Sequence, residues 1–203
     1  MTAKAEPPSP DVAGAVAAQP GLVNLANVLT VIRLVLVPVV VACLLAGGAG
    51  WRVAAFIAFG TASVTDLLDG RFARSRGLIT DFGKIADPIA DKALTGAALV
   101  TMSYLGWLAW WVTVVILARE VAVTGLRFWV IRRGVIAASR GGKLKTLLQV
   151  VAIALYVLPG PPTVVREVVM AAAVAVTVVT GVDYGVRAVR LHRRPPAGAG
   201  AAP

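Results

Sequence analysis

The chain has 203 residues, 58% apolar and only 15% charged, with the apolar residues gathered into long runs. That profile excludes an ordinary soluble domain and predicts one all-helical membrane bundle. Lys and Arg outnumber Asp and Glu by 20 to 10, an excess that raises nucleic acid as a partner; the distribution of those charges along the chain argues against it.

Residues 1–20 are rich in Ala and Pro, with neither a basic start nor an apolar core, so they read as a disordered tail rather than a signal peptide. A spanning helix needs about 20 mostly apolar residues. Six stretches come close: 28–46, 51–70, 85–105, 107–131, 144–159 and 163–188. The fifth is short and ends at Pro159-Gly160-Pro161-Pro162, which cannot continue a helix and predicts a tight turn. The domain reading is a tail over 1–20, a six-helix transmembrane domain over 21–190, and a basic Pro/Ala/Gly-rich tail over 191–203. Arg33, inside the first run, is expected to snorkel back to the headgroups. Cys43 is the only cysteine, so no disulfide or Cys-based metal site forms. His192, the only histidine, reads as a solvated residue of the tail.

The basic residues form three groups: Arg71, Arg74, Arg76 and Lys84; Arg132, Arg133, Arg140, Lys143 and Lys145; and Arg187, Arg190, Arg193 and Arg194. The alternate turns carry only Arg52 and Arg166. This is the positive-inside pattern, and it places both termini in the cytoplasm of a multi-pass protein of the cell membrane.

Of the ten acidic residues, five lie between positions 66 and 91. A carboxylate at the bilayer centre costs at least about 2.5 kcal/mol and normally faces a cavity, a partner or an ion. Asp66 and Asp69 are three apart near the end of the second run; Asp87 and Asp91 are four apart at the start of the third. Both spacings put a pair on one helix face. With residues 71–86 as a short cytoplasmic connection, the two helices are antiparallel neighbours and the four carboxylates converge. Four such anions repel unless cations neutralise them, and two divalent ions balance their charge. Oxygen-only ligands favour a hard ion, Mg2+ or Mn2+. Helix capping accounts at most for Asp87, which precedes Pro88 where a helix is expected to begin.

The neighbouring residues complete a pattern: Asp66-Leu-Leu-Asp69-Gly70-Arg-Phe-Ala73-Arg74, eight residues, then Gly83-Lys-Ile-Ala-Asp87-Pro-Ile-Ala-Asp91. A glycine there permits close approach of a phosphate to the backbone, and an arginine can fork onto pyrophosphate oxygens. The segment closely resembles the signature of the CDP-alcohol phosphatidyltransferases, D-x-x-D-G-x-x-A-R, about eight residues, then G-x-x-x-D-x-x-x-D, with every defined position matched. The resemblance extends from about residue 22 to 188. It implies a six-transmembrane-helix catalytic bundle, commonly a homodimer, with a CDP-lipid donor and a pair of divalent ions held by Asp66, Asp69 and Asp87. By the same resemblance, Asp91 is expected to contact one ion and serve as general base. Gly70, Arg74 and Thr80 fall where the family contacts the CDP moiety, as does the segment with Asn27 and Thr30, although Asn27 also reads as a helix cap.

The motif does not name the acceptor. Arg119, Glu120 and Arg127 lie within the fourth run, where charges imply a polar cavity, and the basic segment 137–146 with Lys143 and Lys145 follows as a flexible loop. Ala118-Arg119-Glu120-Val-Ala-Val-Thr124-Gly125-Leu126-Arg127, with the later Ala-Ser-Arg-Gly-Gly-Lys-Leu-Lys-Thr, resembles the branch of the family whose acceptor is sn-glycerol 3-phosphate. That resemblance implies transfer from CDP-diacylglycerol, with Arg119, Arg127, Lys143, Lys145 and Arg187 as candidates for the acceptor phosphate. Phosphatidylglycerol, as in a cardiolipin synthase, and inositol phosphate are alternative acceptors. A divalent-cation transporter would want acids near the midplane and has no use for Gly70 or Arg74; a non-catalytic scaffold would need no metal.

Overall fold

The computed structural model describes residues 25–76, 81–130 and 140–193. Six helices follow one another there: α1 (Leu25–Ala46), α2 (Gly48–Arg76), α3 (Asp81–Tyr104), α4 (Trp110–Val130), α5 (Arg140–Val157) and α6 (Thr163–Arg193), with no strand among the described residues. The six apolar runs are thus six helices in the expected order. The predicted tail at 1–20, and residues 194–203 of the tail predicted at 191–203, lie outside the described residues.

Several ends differ from the expectation, because apolarity marks the part of a helix that seeks lipid and not where hydrogen bonding stops. α2 continues through polar residues to Arg76, so Gly70 and Arg74 sit on a helix rather than in a connection. α3 starts at Asp81, which puts Asp87 and Pro88 beyond its first turn and removes the capping role for Asp87. α5 starts at Arg140; Lys143 and Lys145 are helical, not part of a flexible loop. α6 carries on past the predicted boundary at 190, and His192 stacks on Trp129 of α4 with ring centroids 3.9 Å apart. The histidine belongs to the bundle instead of a solvated tail.

α1 packs along α2 and α3, while α4 and α5 pack along α6. Val40 and Leu44 of α1, Ala55, Phe59 and Ala62 of α2, and Leu94, Ala98 and Met102 of α3 form a core with Ile116, Ile153 and Ala173 of the other helices. The alanines let helix axes approach closely. Outward faces are apolar too, as at Val35 (58% exposed), Val121 (72%) and Val179 (66%). So much exposed hydrocarbon suits lipid rather than water. Among the described residues two segments are long and apolar enough to cross a membrane, Val28–Ala46 with mean hydropathy 2.8 and Thr163–His192 with 1.8.

The chain reverses between α1 and α2 through Gly47 alone, and Gly47 and Gly48 have φ of 70° and 76°. A side chain would strain that backbone, and glycine does not. Near this reversal Arg52 crosses to the end of α5. Its Nε donates to the Val157 carbonyl at 3.0 Å, and its Nη2 to those of Tyr156 and Leu158 at 2.9 and 3.2 Å. Carbonyls at a helix C-terminus lack intrahelical partners and carry partial negative charge, so a guanidinium satisfies both needs. Trp51, Tyr104, Trp110 and Trp111 are exposed at this same end.

Candidate functional site

The acidic residues occupy the other end of the bundle. Asp66 and Asp69 lie on α2, Asp87 and Asp91 on α3. Their positions continue, at helical spacing, two rows that pack into the core: 55, 59 and 62 on α2, and 102, 98 and 94 on α3. Residues spaced by three and four share a face. The side chains of these aspartates, and of Asn27, Gly70 and Arg74, lie outside the described residues, as does Thr80 altogether.

α1 contributes a third row. Thr30 and Arg33 are 0% and 1% exposed, on the face that further along carries Val40 and Leu44. Arg33 does not snorkel to headgroups; its guanidinium is inside the bundle and has interaction partners there. The reason is geometric, since α1 is covered by α2 and α3 on that face and the side chain has no outward path. A cation buried there, near the end carrying the acidic rows, offsets part of their charge.

Next to these rows stands a polar cluster contributed by α3, α4, α5 and α6. Glu120 accepts from Arg119 Nη1 at 2.9 Å and from Lys145 Nζ at 2.5 Å. Arg119 Nη2 donates to Thr180 Oγ1 at 3.2 Å. The hydroxyl of Thr124 donates to the Glu120 carbonyl at 2.7 Å and accepts from Lys92 Nζ. Lys92 directly follows Asp91, so the backbone of α3 joins this cluster to the acidic row. The Lys145 side chain is 8% exposed and that of Glu120 18%. Among the described residues Glu120 pairs with two cations, Arg119 and Lys145, and Lys92 stands close by on Thr124, so cations outnumber carboxylates in this half-buried setting. Such a site attracts an anion.

Of the five sequence-predicted acceptor cations, the structure brings together Arg119 and Lys145. Arg127 and Lys143 are exposed, and Arg187 is an exposed partner of Asp183 at 3.0 Å, four residues away on α6. Sequence reasoning overlooked Lys92, Thr180 and Gly181, and quoted Thr124 within the branch pattern without giving it a role. Of the three overlooked, Lys92 carried a visible signal, being next to the last motif aspartate.

Gly181 has a steric purpose: a Cβ there would lie 2.9 Å from Arg119 Cγ and 3.4 Å from its Nε. At Gly185, one turn on, a Cβ would meet nothing within 4 Å. Gly181→Ala is therefore expected to push Arg119 off Thr180 at an overpacking cost of about 1–3 kcal/mol. Gly185→Ala should be neutral or stabilising by up to roughly 1 kcal/mol, the helix preference for Ala over Gly. Thermal unfolding of both variants in detergent checks the contrast, which equal midpoints would contradict.

The donor set at the acidic end fits a hard divalent cation by its chemistry, because the four aspartates of α2 and α3 offer oxygen only and the lone histidine stacks on Trp129.

Residues 23–179 match the family described as CDP-alcohol phosphatidyltransferase. Over 182 residues, 87% of each chain, the sequence is 56% identical to a Mycobacterium tuberculosis protein named "Probable phosphatidylglycerophosphate synthase". It is 36% identical over 179 residues to the CDP-diacylglycerol--glycerol-3-phosphate 3-phosphatidyltransferase of Bacillus subtilis, covering 79% of this chain and 93% of the relative. The Escherichia coli protein of that name is 36% identical over 137 residues, covering 64% and 75%.

Proposed function

The chain belongs to the CDP-alcohol phosphatidyltransferase family, and we propose that it transfers the phosphatidyl group of CDP-diacylglycerol to a hydroxyl of sn-glycerol 3-phosphate, giving phosphatidylglycerophosphate and CMP. The observation that carries the acceptor is the half-buried pairing of Arg119 and Lys145 on the Glu120 carboxylate, with Lys92 close by on Thr124, an excess of cations among the described residues. A neutral acceptor would leave that excess charge uncompensated, whereas a phosphate monoester, with about −1.5 to −2 charge at neutral pH, balances it. The names of the relatives support the same choice.

Asp66, Asp69, Asp87 and Asp91 would hold two divalent ions, Mg2+ or Mn2+, which when bound supply electrostatic stabilisation of charge on the pyrophosphate and on the departing CMP. Asp91 takes the proton of the acceptor hydroxyl as that oxygen attacks the phosphorus bearing diacylglycerol. The bond from that phosphorus to CMP breaks, and CMP leaves with the electron pair. Arg74 donates to pyrophosphate oxygens, Gly70 admits the nucleotide close to the backbone of α2, and Asn27, Thr30 and Thr80 complete the CDP contacts. Arg119 and Lys145 hold the acceptor phosphate. Arg127, Lys143 and Arg187 add to the positive potential that draws a dianion in.

The six helices span the cell membrane with both termini and the site on the cytoplasmic side, as the basic groups dictate, and small residues on the helix faces permit a homodimer. The bilayer supplies the donor laterally and the cytoplasm supplies the polar acceptor. Purified protein given CDP-diacylglycerol and glycerol 3-phosphate should release CMP, lose this activity on chelation with EDTA, and regain it with Mg2+ or Mn2+. CMP release with inositol phosphate or phosphatidylglycerol, and none with glycerol 3-phosphate, would overturn the acceptor. Activity indifferent to EDTA would overturn the metal.

A further inference from the structure

At the end of the bundle away from the aspartates, Arg52, Trp107, Tyr156, Thr163, Arg166 and Glu167 line a cavity of about 200 Å3. Arg52 is anchored on the closing carbonyls of α5, with its guanidinium carbon 4.4 Å from the centre of the Trp107 ring. Arg166, from the first turn of α6, donates through Nη2 to Thr163 Oγ1 at 3.0 Å and lies 5.6 Å from the Tyr156 ring centre. Aromatic faces hold both cations in place. Among the described residues no carboxylate lies within ion-pairing distance of either guanidinium. The Nε of Arg166 is buried without a hydrogen-bond partner, a state that an acceptor in the cavity would relieve.

The surroundings indicate what would complete this site. Trp51, Tyr104, Trp110 and Trp111 are exposed at the same end, and such residues mark the depth of the lipid headgroups. Beside the cavity the opening turns of α6 expose Val164, Val165 and Val168, a surface for hydrocarbon. Two guanidiniums and the Glu167 carboxylate sum to a single positive charge, which a monoanion neutralises and a dianion exceeds.

We propose that this cavity binds the phosphodiester of a phospholipid headgroup from the leaflet opposite the active site. Arg166, through Nε, and Arg52 provide the positive face for the phosphate oxygens, Glu167 accepts from a headgroup hydroxyl or ammonium, and the acyl chains run along the valines of α6. The lipid then bridges α2, α5 and α6 at the end where no catalysis occurs. The proposal rests on the membrane placement proposed above, and turnover measured on the same preparations separates failure of the enzyme reading from failure of this one.

The test titrates the full chain in mild detergent with dioleoyl phosphatidylglycerol, counts bound lipids by native mass spectrometry and follows hydrogen exchange over residues 158–167. Dioleoylglycerol, which lacks phosphate, and inorganic phosphate form the other two arms. Phosphatidylglycerol should slow exchange in that segment, and neither of the others should. Arg166→Gln should retain one lipid fewer and need about tenfold more lipid for the same protection, the loss of roughly one charge-assisted hydrogen bond, with turnover unchanged. Equal lipid counts and equal protection in both proteins would overturn the proposal. Protection by dioleoylglycerol would overturn phosphate recognition, and protection by inorganic phosphate would overturn the lipid as its source. The exchange measurement uses the unaltered protein, so it decides the matter even where Arg166→Gln does not fold.

Discussion

Asp91→Asn is expected to lower phosphatidyl transfer by about 10²–10⁴-fold, the usual contribution of a positioned general base, while binding of CDP-diacylglycerol largely survives. The amide keeps the size and one oxygen of the carboxylate but cannot take the proton of the acceptor hydroxyl. A carboxylate that serves chiefly as a metal ligand would respond differently, since raising the Mg2+ concentration would then refill the site and restore much of the rate. Two measurements separate the roles: single-turnover CMP release across a Mg2+ titration, and CDP-diacylglycerol binding in the absence of acceptor. Unchanged turnover, or turnover recovered by excess Mg2+, would remove Asp91 from the role of base. The direct succession of Asp91 and Lys92 on α3 gives the assignment a physical setting, because the Lys92 ammonium is tied to Thr124 beside the acceptor cluster. The base and Lys92, which ties α3 to the helix carrying Arg119, are thereby on one rigid element, which favours the alignment of a hydroxyl for attack.

How much of this was legible in the sequence depends on the range of the interaction. The six runs and the spacings within Asp66–Asp69 and Asp87–Asp91 are local, set by helix period and hydropathy, and the six helices, with both pairs at helical positions on α2 and α3, follow from them. Helix ends were less legible: α2 stays helical for several residues after its apolar run stops, because backbone hydrogen bonding does not depend on the apolarity of the side chains. Arg33 was misread because snorkelling depends on whether a neighbouring helix blocks the way out, and the chain alone does not say that α2 and α3 cover α1. The pairing of Lys145 with Glu120 links positions on different helices, and the steric value of Gly181 exists only because Arg119 crosses α6 there. Both depend on helix-to-helix packing, for which a periodic pattern supplies no register.

Glu120→Gln should produce the largest change away from the aspartates. The variant keeps the shape of the side chain and removes the carboxylate that, among the described residues, joins Arg119 and Lys145. Breaking a buried ion pair by deleting one partner costs about 3–5 kcal/mol because the remaining charge is left uncompensated. Here the 16% exposure of Arg119 and 18% of Glu120 let water recover part of that, so roughly 2–3 kcal/mol is expected. Affinity for glycerol 3-phosphate should not fall in step, since the added positive potential attracts the phosphate even as the two cations lose their fixed geometry. Turnover should fall about 100-fold, the penalty for a reacting group held an ångström out of place. Linkage supplies the sharper readout: a ligand that binds the folded state stabilises it, and in the variant the acceptor phosphate also takes over as counter-ion for Lys145. Glycerol 3-phosphate should therefore raise the thermal midpoint of Glu120→Gln more than that of the unaltered enzyme. If the two shifts are equal, or if the acceptor KM rises steeply with turnover preserved, Glu120 contacts the substrate itself and does not act by holding the cations.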